Sequence, residues 1–311
     1  MTLTVDVVVP VYGNWAMTDS CLKSLAAQTT QHQVIVVDDK SPDDTLVRLR
    51  TEYPYVRVVE LPVNSGFAAA CNRGLALSTA DVVVLVNNDV EADAELLHHL
   101  IQPFADPDVG SSTPLLTQPN GAVDAFGITA DVTLAGFLRM HGAPPSAASN
   151  ETATLLGPYG AVAAYRRVAL DEVGLLDERI FMYGEELDLA LRLSAAGWSP
   201  AAAPLARGVH LGGATSGRGT STQRQRAGFG RGYLLRAYGV LKGPHAIRAI
   251  ITESIVCVGD LVLSHDLASL RGRLAGWRAG ARAAYRNRKI PDLNRRISFV
   301  DSLRLRIDSR S

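Results

Sequence analysis

The sequence predicts an α/β protein with a mostly parallel central sheet, followed by a C-terminal helical extension. Three observations carry that expectation. Short β-branched runs alternate with amphipathic segments through the first 90 residues, the spacing of βαβ units. Asp81 to Val90 (DVVVLVNNDV) contains an apolar run, Val82 to Val86, too short for a helix and too uniformly apolar for a half-solvated strand, so it reads as a strand buried on both faces. Charge is divided along the chain: residues 1–206 hold 11 Lys/Arg against 25 Asp/Glu, and residues 207–311 hold 20 against 6.

Composition narrows the class. A chain of 311 residues with 47% hydrophobic content can bury a sizeable core and is not a disordered polymer. Cys21, Cys71 and Cys257 are odd in number and widely spaced, which points away from a disulfide framework or a zinc site and toward a reducing cytoplasm. The first residues run directly into a strand without a basic leader, so no secretory signal is expected. The tract Ile247 to Leu263 is interrupted by Glu253 and Asp260 and is too polar to span a bilayer. The acidic first part argues against nucleic acid lying across it, and the basic second part points to an anionic surface as partner.

In order, Val5 to Val9 is a strand closed by Pro10, and Val11 to Asn14 turns it into a helix from Trp15 to Leu25. Val34 to Val37 ends in Asp38-Asp39, and Ser41-Pro42-Asp43-Asp44 starts a helix reaching about Tyr53. Val56 to Glu60 is a third strand, and Asn64-Ser65-Gly66 leads into a helix over Phe67 to Leu77. Beyond the central strand the pattern predicts a helix over Ala94 to Phe104 and a strand over Val109 to Leu116. Residues 117–156 loosen into turns around β-prone pieces at Ala122 to Phe126 and Ala130 to Thr133, with a loop from Ala143 to Thr154. Gly157 to Arg166 is a strand, a helix starts near Glu185, and Trp198 to His210 is a strand feeding a polar loop, Gly212 to Gly217. From Gln223 the composition shifts to basic helices. Ile247, Ile250, Ile251, Ile255, Val258, Leu261 and Val262 form one broad apolar face, and Leu270, Leu274, Trp277 and Ala281 a stripe opposite Arg271, Arg278, Arg282 and Arg286.

Carboxylates collect where strands end: Asp38 and Asp39, Asp89, and Glu185, Glu186 and Asp188. Like charges gathered in one pocket imply a cation or a poised acid/base, whereas taken singly Asn87-Asn88-Asp89 is equally readable as an ordinary turn. There is no GxGxxG after the first strand and no phosphate-loop lysine, which weakens dinucleotide and P-loop readings.

Six segments in order, VVVPVYGN (7–14), VIVVDDKSPDD (34–44), NSGFAAACNRGL (64–75), LVNNDV (85–90), GAVAAYRR (160–167) and GLLDERIFMYGEELDLALRLSAAGW (174–198), resemble the family 2 glycosyltransferases with the GT-A fold, in particular their bacterial rhamnosyltransferase-like branch. The resemblance covers roughly residues 5–240. It implies a GT-A type nucleotide-sugar-binding domain over 1–222, with a nucleotide part to about residue 90 and an acceptor part from 91, and a separate basic extension over 223–311.

Residue by residue, the resemblance makes Pro10, Val11 and Tyr12 part of the nucleotide loop. Asp38 becomes the carboxylate that reads the N3–H of uracil or thymine, with Asp39 as nearby support. Asn64, Gly66, Asn72 and Asn88 fall near the nucleotide sugar. Asp89 corresponds to the metal-binding aspartate, Asn87 stands where many relatives have a first aspartate, and His210 matches a ligand to the same ion. Oxygen donors with one imidazole suit Mg²⁺ or Mn²⁺. Glu186 occupies the general-base position, usually an aspartate, and Glu185 competes with it.

The implied reaction is inverting, metal-dependent transfer from a nucleoside-diphosphate sugar, dTDP-rhamnose being favoured and a UDP-sugar the other option. The acceptor is a glycan or a lipid-linked glycan of cell-surface polysaccharide synthesis, which places the protein peripherally at the inner face of the plasma membrane. Asn87 and Glu186 motivate the alternative of a catalytically silent homologue that binds a nucleotide sugar and acts as a partner protein. The apolar faces of the extension suit an anionic membrane surface, the catalytic domain or a second subunit.

Overall fold

The computed structural model of the chain describes residues 3–212, 220–284, 286 and 289–308, with backbone alone at 150, 307 and 308. The expected βα alternation is present: β1 (Val5–Val11), α1 (Trp15–Ala26), β2 (Gln33–Asp38), α2 (Thr45–Glu52), β3 (Arg57–Glu60), α3 (Phe67–Leu77) and β4 (Val82–Val86). There follow β5 (Val90–Ala92), α4 (Leu96–Ile101), β6 (Val109–Thr117), the short β7 (Val123–Ala125), β8 (Ile128–Ala130) and β9 (Gly136–Leu138), then β10 (Val162–Arg166), α5 (Arg167–Val173), α6 (Glu185–Ala196) and β11 (Ser199–His210). The polar loop expected to run to Gly217 lies, from Gly213, outside the described residues.

The main sheet has the order β3-β2-β1-β4-β10-β6-β11-β5, with β7 added to β6. Strands β3, β2, β1 and β4 are mutually parallel, and so is the pair β6 and β11, while β10 runs antiparallel between β4 and β6 and β5 antiparallel beside β11. Every residue of β4 is buried, as its unbroken apolar run requires. Val82, Val84 and Val86 pack toward α1, α2 and α4; Val83 and Leu85 pack toward α3, α5 and α6. The parallel pairing of β1 with β2 and β4 sets their carboxyl ends at one edge, where ligands of open α/β sheets collect.

One expected β-prone piece is displaced: of Ala130 to Thr133 only Ala130 is in a strand, as the end of β8, and the chain turns after it. The buried Asp131 explains it, because its Oδ1 accepts from the backbone N–H groups of Thr133 and Ala135, a local bonding pattern that competes with a strand.

The extension consists of α7 (Ser221–Ala237), α8 (Ala246–Ser264), α9 (Ala268–Gly280) and α10 (Phe299–Asp308). Helices α7 and α9 meet backbone to backbone. A Cβ at Gly228 or Gly232 would overlap the carbonyl oxygens of Ser269 and Arg273, and one at Gly272 or Gly276 those of Gln225 and Phe229. Arginines account for much of the rest. Arg231, Arg273 and Arg306, from α7, α9 and α10, converge on Glu253 of α8 at 2.7, 2.8 and 2.7 Å. Arg286 lies 2.7 Å from Asp177 and 3.2 Å from Asp188, and Arg248 lies 3.2 Å from Asp131. The basic part is thus fastened to the acidic part by the charge division visible in the sequence.

On α9 the expected stripe is corrected. Leu270 and Leu274 are exposed on the same side as Arg271 and Arg278, and the side turned inward is Ala268, Ser269, Gly272, Gly276 and Gly280. Only residues without bulk fit against α7, so Leu270 and Leu274 are pushed outward, while Trp277 of the expected stripe is half-buried and packs against the core. Among the described residues no helix is long and apolar enough to cross a membrane.

Candidate active site

A cavity of about 300 Å³ opens at the carboxyl edge of β1 and β4. One wall is Pro10, Val11, Tyr12, Asp39, Asn64 and Gly66; Asn87, Asn88, Asp89 and His210 form its base; Phe181 to Tyr183, Glu185 and Glu186 stand on the acceptor side, and Gln223 and Arg226 of α7 close it. Two of the expected residues, Asp38 and Asn72, do not line it.

The nucleotide side is built by loop bonding. Both oxygens of Asp39 are engaged, Oδ1 accepting from Ser65 N at 2.7 Å and Oδ2 from Gly66 N at 2.9 Å. Burial raises its pKa, against the pull of these two N–H donors. Asp38 lies deeper, with Oδ2 accepting from Ser41 N at 3.2 Å while Oδ1 is buried without a hydrogen-bond partner. Gly66 has φ +91°, and a Cβ there would overlap the backbone oxygen of Phe181, which itself accepts from Phe67 N at 2.9 Å. This close approach ties the nucleotide loop to the acceptor loop. Asn72 is spent elsewhere: its amide donates to Leu176 O and Glu178 Oε1, both at 2.9 Å. Asn88 donates to Gly13 O and Thr18 Oγ1 at 3.3 and 3.0 Å, anchoring the turn after β1.

Register decides the base of the cavity. His210, the last residue of β11, pairs with Val90 of β5, which sets its imidazole beside Asp89. Its Nε2 lies 3.3 Å from Asp89 Oδ1 and its Nδ1 lies 2.7 Å from Oδ2 of the buried Asp124. Burial pulls the imidazole pKa down, but the two carboxylates outweigh it and hold it up at about 9. Asn87 Oδ1 is buried without a hydrogen-bond partner, and Asp89 Oδ1 faces only the imidazole. Such buried oxygens beside an imidazole whose other nitrogen is fixed by a carboxylate fit a divalent cation, which would take the place of the imidazole proton. Among the described residues no three His, Cys, Asp or Glu side chains converge on one point, so the protein's donor set is lean.

Opposite stand Glu185 and Glu186 in the first turn of α6. Glu185 is buried with Oε2 unpartnered, and burial followed by the charge of Glu186 drives its pKa well above the usual carboxylate range. Glu186 accepts from Gly184 N at 3.3 Å, and burial raises its carboxyl as well.

Residues 6–174, more than half of the chain, match the sequence profile of Glycosyl transferase family 2. The chain is a family 2 glycosyltransferase. It is 29% identical over 257 residues, 70% of its own length and 79% of the relative's, to the N-acetylglucosaminyl-diphospho-decaprenol L-rhamnosyltransferase of Mycobacterium tuberculosis. It is 31% identical over 216 residues to the pre-mycofactocin glycosyltransferase of the same organism, covering 66% of this chain and 42% of that one. The glycosyltransferase fold agrees with that of a Pyrobaculum calidifontis mannosyltransferase in complex with GDP-Man and Mn²⁺ (TM-score 0.54, 20% identity, 91% of this chain and 77% of that one). It also agrees with GalNAc-T7 with UDP, GalNAc and Mn²⁺ (TM-score 0.58, 16% identity, 86% and 57%).

Three features of this glycosyltransferase were not anticipated from its sequence. Asp124 sits in a three-residue strand, where one buried acid amid small apolar residues is the sole signal. Phe181 is part of a matched motif without an assigned role. Arg226 lies in the basic extension; its guanidinium stacks 4.4 Å over the Phe181 ring and, among the described residues, makes no ion pair.

Proposed function

We propose that this glycosyltransferase moves a sugar, rhamnose in the reading its mycobacterial relative favours, from a dTDP- or UDP-linked donor to a hydroxyl of a lipid-linked glycan acceptor during cell-surface polysaccharide synthesis at the inner face of the plasma membrane. The observation that carries it is the opposition, across one cavity, of a buried donor set (Asp89, the unpartnered amide oxygen of Asn87, and His210 fixed by Asp124) to a pair of carboxylates with raised pKa values (Glu185, Glu186).

In this reading Asp39, on the cavity wall, shapes the loop of Asn64 and Gly66 around the nucleoside, and Asp38 Oδ1, a buried acceptor without a partner behind that wall, takes the imide N–H of uracil or thymine once the loop opens to admit the base. Asp89 and His210, with the amide oxygen of Asn87, would hold Mg²⁺ or Mn²⁺; Asp124 fixes the imidazole orientation through Nδ1. When bound, the cation offsets the negative charge that grows on the leaving diphosphate. Arg226, held flat by Phe181, offers a second positive group to the same diphosphate. Glu186 takes the acceptor hydroxyl proton as that oxygen attacks the anomeric carbon from the face opposite the diphosphate, so a single displacement inverts the configuration. Two adjacent buried carboxyls resist ionising together, so Glu185 retains its proton while Glu186 acts.

Screening a panel of dTDP-, UDP- and GDP-sugars by mass spectrometry, with and without EDTA, tests the reading. Transfer from one donor, abolished by EDTA and restored by Mn²⁺, is expected. Donor binding without transfer or hydrolysis from any donor would identify a silent homologue instead.

A further inference from the structure

Helix α8 is packed inside out. The residues it buries include Thr252, Glu253 and Asp260, with Glu253 8% exposed, whereas Ile247, Val258, Val262 and Leu263 are 75, 60, 63 and 76% exposed. An amphipathic helix in a globular protein places its apolar stripe inward. Here the orientation is fixed by Glu253, because the three arginines that converge on it come from α7, α9 and α10, and turning the helix over would strip all three. The exposed apolar face continues through Leu267 into Leu270 and Leu274 of α9, where Arg271 and Arg278 stand on the same side. Among the described residues of α8 and α9 no carboxylate is exposed on this face: Glu253 and Asp260 are buried, and Asp266 is engaged by Arg224 and Ser221.

We infer that this face, the outer side of α8 and α9, docks the enzyme on the interface of an anionic lipid bilayer. The inference deepens the lipid-linked-acceptor reading, on which its purpose rests, but the face itself stands on exposure and charge. Exposed apolar side chains flanked by Arg271 and Arg278, with no exposed carboxylate on α8 or α9, match a bilayer interface with anionic headgroups. A second copy fits worse. A two-fold pairing sets the same patch against itself, so Arg271 and Arg278 of both copies would meet with no carboxylate to offset them. The placement also suits the site. Helix α9 lies against α7, which carries Gln223 and Arg226 into the cavity, so the active site lies two helix layers, ~20 Å, behind the face.

Arg224, Arg231, Arg248, Arg273, Arg286 and Arg306 are engaged by carboxylates within the protein, whereas Arg271 and Arg278 on the exposed face are not, among the described residues. Attraction to anionic vesicles should therefore fall as salt screens these exposed arginines.

The test is flotation of the full chain with phosphatidylcholine vesicles, with and without phosphatidylglycerol, at low and high salt. The parent protein is expected to float with the anionic vesicles. Arg271→Glu with Arg278→Glu should weaken this at low salt by roughly fivefold or more per position. Ile255→Glu with Val262→Glu should abolish it while thermal melting and nucleotide binding stay unchanged. A parent that stays unbound at low salt, or a glutamate variant that floats as the parent does, overturns the inference. So does a parent dimer that the same variant converts to a monomer in sedimentation velocity without vesicle binding, since the face would then be a subunit interface. Flotation of a protein that transfers sugar from no donor would sink the proposed activity and leave the docking face standing; transfer to a soluble acceptor without flotation would do the reverse.

Discussion

Glu253→Gln should loosen the whole extension. The side chain is buried, its carboxylate is the common partner of Arg231, Arg273 and Arg306, and those three guanidiniums hold its pKa well below the usual range against the opposing effect of burial. The amide keeps the volume and one acceptor but removes the charge and turns an N–H₂ group toward donors. Arg231 keeps Leu134 O at 2.7 Å and Arg273 keeps Ser269 O at 3.3 Å, so the loss falls on uncompensated charge rather than on hydrogen bonds. Removing one partner of a buried ion cluster costs about 3–5 kcal/mol. Set against a total stability of about 5–15 kcal/mol, that is a large share. At about 2–4 °C per kcal/mol the melting temperature should drop by ~10 °C. Circular dichroism melts and urea titrations at neutral pH measure it. The pH dependence has a definite sign. A depressed folded-state pKa means that Glu253 contributes fully above its unfolded value, about 4.3, and that the contribution is lost as pH falls through the folded value. A variant melting within about 2 °C of the parent, or a parent–variant difference that persists unchanged deep into acid, would refute the assignment of the cluster as the clamp of the extension.

Glu186→Gln should retain donor binding and lose transfer by ~10²–10⁴-fold, whereas the same loss in Glu185→Gln alone would move the base by one residue. Because Glu186 must be ionised to act and burial raises its pKa, log kcat should climb with pH through a value above the ordinary glutamate range of about 4.3 and level off beyond it; a profile already flat there contradicts the site. Asp124→Asn, which leaves Asp89 and His210 in place, should weaken Mn²⁺ binding by ~10–100-fold in calorimetry, and unchanged affinity would remove the imidazole from the donor set. Arg226→Ala should raise the donor KM by about 10–100-fold, the worth of a hydrogen bond to a charged group, with little change in melting temperature.

Much of the fold is legible in the sequence because its signals are local. The period-2 and period-3.6 runs up to β4, the fully buried Val82 to Val86 and the acidic first turn of α6 all follow from neighbouring residues. Long-range partners decided what was not legible. Asp124 reaches His210 only because β7 joins β6 and β11 carries the histidine alongside, and no spacing in the chain states that pairing. The amphipathy of α8 could be read directly, but not its direction, since arginines up to 53 residues away, not the helix's own pattern, turn Glu253 inward. Asp38 and Asp39 are adjacent and chemically identical, and only the backbone turn at Ser65 and Gly66 decides which of them is left with an unpartnered oxygen.

The glycine seam between α7 and α9 has a mechanical consequence. Side-chain contacts yield by rotamer changes, each absorbing a fraction of an ångström; a joint made of backbone against backbone has no such slack. The two helices must move as one strut. A displacement of α9 is passed with little slack to α7, which carries Arg226 at the mouth of the cavity. Residues with no functional group thereby set the stiffness with which the far side of the molecule addresses the reacting atoms.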